Sequence, residues 1–121
     1  PRTIAKSLAI GTPADGYFAI GAMNETGGHA EEADDSEIIA GIRLLAETEG
    51  IFAETAGGVT VACARKLIES GRIPRDEPIV LCITGNGLKT TEPLQGQCGA
   101  PLEINASLRE FDALLAAEAA A

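Results

Sequence analysis

With 121 residues, 45% of them apolar, the chain is long enough for one domain with a sizeable core. Aromatic residues make up only 3%, with no Trp and a single Tyr17. The core must therefore be built from Ala, Val, Ile and Leu, and platforms for stacking bases are excluded. A formal net charge of −9 argues against nucleic acid and anionic membrane as partners, because both call for Lys and Arg to neutralise phosphate.

Taken in chain order, Thr3 to Ile10 has helical spacing, with Ile4 and Leu8 on one face, and Gly11-Thr12-Pro13-Ala14-Asp15-Gly16 breaks it. Tyr17 to Met23 is mildly apolar and fits a helix or a short strand equally. Asn24 to Asp35 is polar and acidic and reads as a loop. Asp35-Ser36-Glu37 opens the first clear helix, with Ser36 as the candidate N-cap and carboxylates in its first turn. Ile38, Ile42 and Leu45 supply an apolar stripe, and Gly50 suits the residue just past the end. Ile51-Phe52 is a small strand or connector. After Glu54-Thr55-Ala56-Gly57-Gly58 a second helix runs to about Ser70, with Val59, Cys63 and Leu67 marking its buried face and Gly71 ending it.

A charged turn with two prolines then leads into Ile79-Val80-Leu81-Cys82-Ile83. Five consecutive apolar residues predict a strand buried on both faces, as in a parallel sheet covered by helices. Leu102-Glu103-Ile104 is a candidate edge strand, and Ser107 is expected to cap a final helix from Leu108. Helices alternating with short strands place the chain in the α/β class, as a mostly parallel sheet covered by helices. Residues 1–121 form one segment, without internal repeat or linker.

The three cysteines form no CxxC pair. Cys63 falls on an apolar helix face and Cys82 inside the apolar run. Buried free thiols in a reducing, cytoplasmic compartment fit this better than a disulfide framework or a zinc site, and Cys98 is left over. No signal peptide or membrane-length apolar run is evident. The chain begins at Pro1, without Met and directly in a patterned segment, so it is expected to be a piece of a longer polypeptide.

Two motifs carry chemistry. Thr84-Gly85-Asn86-Gly87 follows the apolar run, and in open α/β sheets ligands bind just beyond such strand ends. The plainer alternative is a turn in which glycine supplies positive φ, or in which Thr84 bonds its own backbone. Glu54-Thr55-Ala56-Gly57-Gly58 places an acid, a hydroxyl and two glycines at a helix N-terminus, where free N–H groups can meet an anion or a polar ligand edge; an exposed acidic cap is the alternative. Lys89 lies beside the glycine loop, but a Walker A loop needs Gly-Lys-Ser/Thr, and here Leu88 intervenes. His29, near Glu31 and Glu32, sits in a solvated acidic loop, and no metal site is assigned to it.

Together these residues resemble a known family. Gly50 to Ala62, the Thr84-Gly85-Asn86-Gly87-Leu88-Lys89-Thr90 stretch and Thr3 to Ala14 are similar to the C-terminal part of the bacterial threonine synthase family; Asp35 to Leu45 matches that family's intervening helix. Thr12 stands where the family usually has Asn. The resemblance covers residues 1–95, leaving 96–121 as a tail with a terminal helix. It implies a pyridoxal-phosphate enzyme of the tryptophan-synthase β-subunit type (fold type II), with this chain forming the C-terminal portion of its large domain. The implied reaction converts O-phospho-L-homoserine and water to L-threonine and phosphate.

Carried over residue by residue, Thr84 would bond the pyridine nitrogen of the cofactor, with Gly85 and Asn86 beside it. Glu54, Thr55, Ala56 and Gly57 would lie near the ring. The family's imine-forming lysine and phosphate loop belong to its N-terminal part. Lys6, Lys66 and Lys89 sit in none of the corresponding contexts, so this segment carries no catalytic residue and is expected to be inactive alone. Its implied partners are the substrate O-phosphohomoserine, the N-terminal part of the enzyme, and further copies in a homo-oligomer. Two rivals stand beside this: a threonine dehydratase-like lyase, which usually shows Glu-Pro-Ser/Ala-Gly where this chain has Glu54-Thr55-Ala56-Gly57, and a stand-alone, non-catalytic binding or regulatory domain.

Overall fold

Two helices of fifteen residues each make the centre of the molecule, and the close approach of their backbones explains most of the rest. A computed structural model describes residues 1–99 and 102–119. In chain order the helices are α1 (Gly16–Thr26), α2 (Asp35–Glu49), α3 (Thr55–Glu69) and α4 (Leu108–Glu118), with short 3-10 turns at Lys6–Leu8, Gly87–Lys89 and Glu92–Leu94.

The N-terminus of α2 is fixed by a reciprocal capping box. Asp34 Oδ1 accepts from Glu37 N at 2.8 Å, and Glu37 Oε2 accepts from Asp34 N at 2.8 Å. Ser36, expected as the cap, lies inside the helix and donates its hydroxyl to Asp34 at 2.6 Å. An Asp with Glu three residues on satisfies two orphan donors, whereas Ser36 would satisfy one. The other end behaves as its sequence predicts: Gly50 adopts φ 67° and its N–H bonds Ala46 O at 3.1 Å.

Helix α3 begins at Thr55, so Gly57 and Gly58 lie in its first two turns rather than in a preceding loop. Glycine weakens a helix, but here it allows contact. A Cβ on Gly58 would sit 2.6 Å from Ile38 O, and one on Gly41 would sit 2.5 Å from Gly58 O. The two backbones touch at that crossing. Around it lie two small apolar clusters, Ala5–Ile38–Ile42 and Leu45–Ala53–Val61, with Val59 packed on the first and Ile83 on the second. Helix α3 lies between them. Its buried residues therefore include Val61, Ala62 and Ala64 as well as Leu67, while Val59 and Cys63 of the expected stripe are only half-buried.

The Thr3–Ile10 segment forms one 3-10 turn instead of a helix, its amides bonding two or three residues back rather than four. Thr3 Oγ1 and Ile4 N both donate to Asp35 Oδ1, at 2.7 and 3.0 Å, and this seats Ala5 in the core. Tyr17 to Met23 belongs to α1, which Gly27 ends at φ 68° and which buries none of its residues.

The predicted sheet is absent among the described residues. One isolated antiparallel bridge, Ala53 with Asn86, is the only β pairing there. The Ile79–Ile83 run finds no strand to pair with, and Val80 is 87% exposed. Cys82, expected buried with it, is exposed, as is Cys98. Leu102 and Ile104 are also exposed and form no edge strand. A strand is a relation between segments, and an apolar pattern alone supplies only one of them. The α/β expectation is thus corrected to a mostly helical arrangement in the described part. Ser107 does precede α4, but its carbonyl, not its hydroxyl, accepts the first bonds, from Glu110 and Phe111 at 3.1 Å each.

Candidate functional site

The bridge joins the two sequence motifs. Glu54 N donates to Gly85 O at 3.0 Å and Gly87 N donates to Phe52 O at 2.9 Å, setting Phe52–Thr55 antiparallel to Gly85–Gly87. Segments some thirty residues apart in the chain therefore meet at the N-terminus of α3. Glycine leaves room for a side chain on both counts. A Cβ at Gly87 would lie 2.5 Å from the Phe52 ring, and one at Gly85 would occupy the position of the Glu54 carboxylate. Gly57 packs its open face on Ala53, where a Cβ would come within 2.6 Å, and beneath Ile83.

Each predicted residue has a definite place. Glu54 is the N-cap residue of α3 but does not cap it; its carboxylate, only 7% exposed, turns over Gly85 to Lys89 Nζ at 3.1 Å. Thr55 is 1% exposed and its Oγ1 has no hydrogen-bond partner. The first helical bond runs from Gly58 N to Glu54 O at 3.1 Å, leaving the amides of Thr55, Ala56 and Gly57 outside the α3 ladder. Ala56 contributes its carbonyl, which accepts from Thr60 Oγ1 at 3.1 Å. Asn86 Oδ1 accepts from Leu88 N at 2.9 Å and so starts the turn that carries Lys89 back over Glu54. Thr84 is exposed, two residues before the bridged Asn86.

The arrangement combines a hydroxyl at the mouth, a second hydroxyl buried without partner, free amides at the positive end of a helix dipole, and a carboxylate already neutralised by an ammonium. Among the residues singled out from sequence, Lys89 enters the site in a role the phosphate-loop comparison does not suggest, as partner to Glu54. The available signal was the opposite charge at the start of one motif and the end of the other. Phe52, under Gly87, carries no comparable signal.

The remaining singled-out residues lie elsewhere. Lys66 ties the loop before α2 onto α3, through Glu37 at 3.1 Å and the Glu32 carbonyl at 2.8 Å. Burial pushes the Cys63 thiol up from its ordinary value, and its Sγ lies 3.4 Å from Glu31 O. No group of three metal-capable side chains occurs among the described residues, and no helix there is long and apolar enough to cross a membrane.

Known proteins are similar in sequence to this chain over most of its length. The family of pyridoxal-phosphate dependent enzymes matches residues 1–85, a stretch that contains Glu54 to Gly57 and ends on Thr84-Gly85. The threonine synthase of Methanocaldococcus jannaschii is 38% identical over 115 residues, which are 95% of this chain and 28% of that protein. The threonine synthase of Halalkalibacterium halodurans is 45% identical over 89 residues, 74% of this chain and 25% of that protein. That of Methanosarcina acetivorans is 39% identical over 108 residues, 89% of this chain and 27% of that protein. The chain thus spans about a quarter of the length of the curated relatives it matches. From the Thr3 segment to the Thr84 mouth, it belongs to the pyridoxal-phosphate dependent enzyme family.

Proposed function

We propose that this chain is the C-terminal part of a threonine synthase, which converts O-phospho-L-homoserine and water to L-threonine and phosphate, and that it supplies the pyridine end of the cofactor pocket. The observation that carries this is the Ala53–Asn86 bridge, which brings Glu54, Thr55, Ala56 and Gly57 against Gly85 and Asn86, one residue from Thr84.

The residues fit the group. A buried Thr55 hydroxyl without partner and three amides outside the α3 ladder are polar functions awaiting a polar edge. When bound, pyridoxal phosphate supplies an electron sink for the carbon adjoining the substrate's amino group. Thr84 would hold the ring nitrogen through its hydroxyl, a neutral partner that does not demand a protonated ring. Lys89 engages the Glu54 carboxylate, so no bare negative charge faces that end. Gly85 makes room for the Glu54 carboxylate and Gly57 for Ala53, which lets the two motifs close on each other. The lysine that anchors the cofactor would come from the N-terminal part, as would a share of the binding surface for O-phosphohomoserine, and further copies would complete a homo-oligomer.

The test is phosphate release from O-phosphohomoserine. The chain is spliced into the M. jannaschii threonine synthase in place of the 115 matched residues. The spliced protein should release phosphate and the isolated chain should release none. Thr84→Val in the spliced protein should lower the rate at least ~10-fold, the loss of about one hydrogen bond to a partly charged group. Undiminished turnover in that variant would discard the role given to Thr84.

A further inference from the structure

Glu54 stands where a helix cap acts, and its side chain is engaged elsewhere. It precedes α3 with extended backbone, φ −68° and ψ 173°, from which a cap side chain reaches forward to the amides of the first turn. No such bond is made. The carboxylate lies instead over Gly85, on the spot a Cβ would take, and both its oxygens meet Lys89 Nζ, at 3.2 and 3.1 Å. The ammonium is delivered by the 3-10 turn Gly87–Lys89, which Asn86 Oδ1 starts by accepting from Leu88 N. The amides of Thr55, Ala56 and Gly57, and the hydroxyl of a Thr55 only 1% exposed, are thereby left without a partner among the described residues.

The two ends of this pair are unequal: the Lys89 side chain is 64% exposed and that of Glu54 7%. An ion pair with one end in water adds little to stability. A carboxylate as buried as that of Glu54, however, does not stay in place unpaired. Without Lys89 it must move, and the free donors on its own turn are the Ala56 and Gly57 amides and the Thr55 hydroxyl, at the positive end of the α3 dipole. A carboxylate there would fill the position that the pocket keeps for the polar edge of a ligand. We propose that Lys89 is a positioning residue: by holding Glu54 over Gly85 it keeps the chain's own carboxylate off the N-terminus of α3 and leaves that end open to the cofactor. This rests on the reading of the site as part of a pyridoxal-phosphate pocket and adds what stops the pocket from closing on itself. A lysine that merely pinned its own turn would matter with or without Glu54, whereas the proposed role acts only through Glu54.

Amide NMR spectra of the isolated chain test the hold on Glu54 without any cofactor. In Lys89→Met the Ala56 and Gly57 amide protons should shift downfield as they gain a carboxylate acceptor, while Lys89→Arg, which keeps the cation, should leave them in place. In a Glu54→Ala background Lys89→Met should no longer move them. Gly85→Ala reaches the same end with Lys89 intact, because the added Cβ displaces the carboxylate, and should shift the same two amides. Pyridoxal-phosphate titration of the protein spliced into the M. jannaschii enzyme tests the consequence. Lys89→Met should weaken binding at least ~10-fold, and Lys89→Met with Glu54→Ala should stay within ~3-fold of Glu54→Ala alone. Unmoved Ala56 and Gly57 amides in either Lys89→Met or Gly85→Ala would overturn the proposal, as would an equal loss of affinity from Lys89→Met when Glu54 is absent. The two readings fail separately. Amides that move in the isolated chain while the spliced parent binds no pyridoxal phosphate uphold the hold on Glu54 and discard the cofactor pocket, and a spliced parent that binds it with unmoved amides does the reverse.

Discussion

The α2–α3 pair and the Ile79–Ile83 run are both strongly patterned, yet one is buried and the other is not. Helix α2 carries Ile38, Ile42 and Leu45 on one face, and α3 meets α2 with Gly58 against Ile38 and Gly41, so the stripe disappears into a crossing where backbones touch. The run at 79–83 is more apolar, without a polar residue in five, and still exposes Val80. Pattern states what a segment needs. Burial depends on whether the same chain provides the complement. Helix α1 adds a third case: Tyr17, Phe18 and Ile20 are exposed, with Tyr17 and Phe18 edge-to-face at 5.9 Å and nothing packed over them.

Substitutions should divide along this line. The largest effect is expected at the centre of the pair. Ile42→Ala removes a side chain that is 2% exposed and should cost about 2–5 kcal/mol, whereas Val80→Ala in the isolated chain should stay within about 0.5 kcal/mol. Urea unfolding of the two variants side by side measures the contrast, and equal losses would erase it.

Next come the glycines. Gly58→Val drives methyl groups into the Ile38 carbonyl and should cost about 1–3 kcal/mol by overpacking, with no room for relief because the obstacle is backbone. Gly21, on α1, has nothing within 4 Å of a would-be Cβ, so Gly21→Ala should stabilise by roughly 0.5–1 kcal/mol through helix propensity alone. A thermal midpoint that falls for Gly21→Ala would mean that α1 packs on something.

The smallest effect is at the α2 cap. Hydrogen bonds from the Ser36 hydroxyl and the Glu37 amide hold the Asp34 carboxyl below its ordinary value, and the Asp34 amide with Lys66 does the same for Glu37. Both folded values lie below the unfolded ones. The stability they contribute is therefore complete above the ordinary carboxylate range and is lost as the pH falls through the lowered values. Asp34→Ala should lower the thermal midpoint modestly at neutral pH and flatten its acid limb. An acid limb as steep as that of the parent chain would place the proton uptake elsewhere.

How much of this is written in the sequence depends on how local the cause is. The end of α2 at Gly50 and the stripe of Ile38, Ile42 and Leu45 follow from short-range rules and match the structure. The sequence points to Ser36 where the structure uses Asp34, two residues earlier, because both are good caps. Only the reciprocal bond with Glu37 decides between them. The start of α3 is hidden because two adjacent glycines ordinarily signal a loop, and their use here depends on distant neighbours, Gly41 and Ile38 for Gly58 and Ile83 for Gly57. Both halves of the candidate site were visible as motifs. Their meeting through Ala53 and Asn86 was not, since nothing in either motif encodes the distance between them. The absent sheet is the same problem at larger scale.

In the proposed pocket Thr84 would hold the ring nitrogen of pyridoxal phosphate beside the Ala53–Asn86 bridge. A cofactor titration followed by visible absorbance tests it most directly, using the spliced protein with Thr84, Thr84→Ser and Thr84→Val. Thr84→Val should weaken cofactor binding about 10-fold and shift the absorbance, while Thr84→Ser should stay within about 3-fold of the parent, because the hydroxyl is what binds. A folded Thr84→Val protein with unchanged affinity and an unchanged spectrum would contradict it.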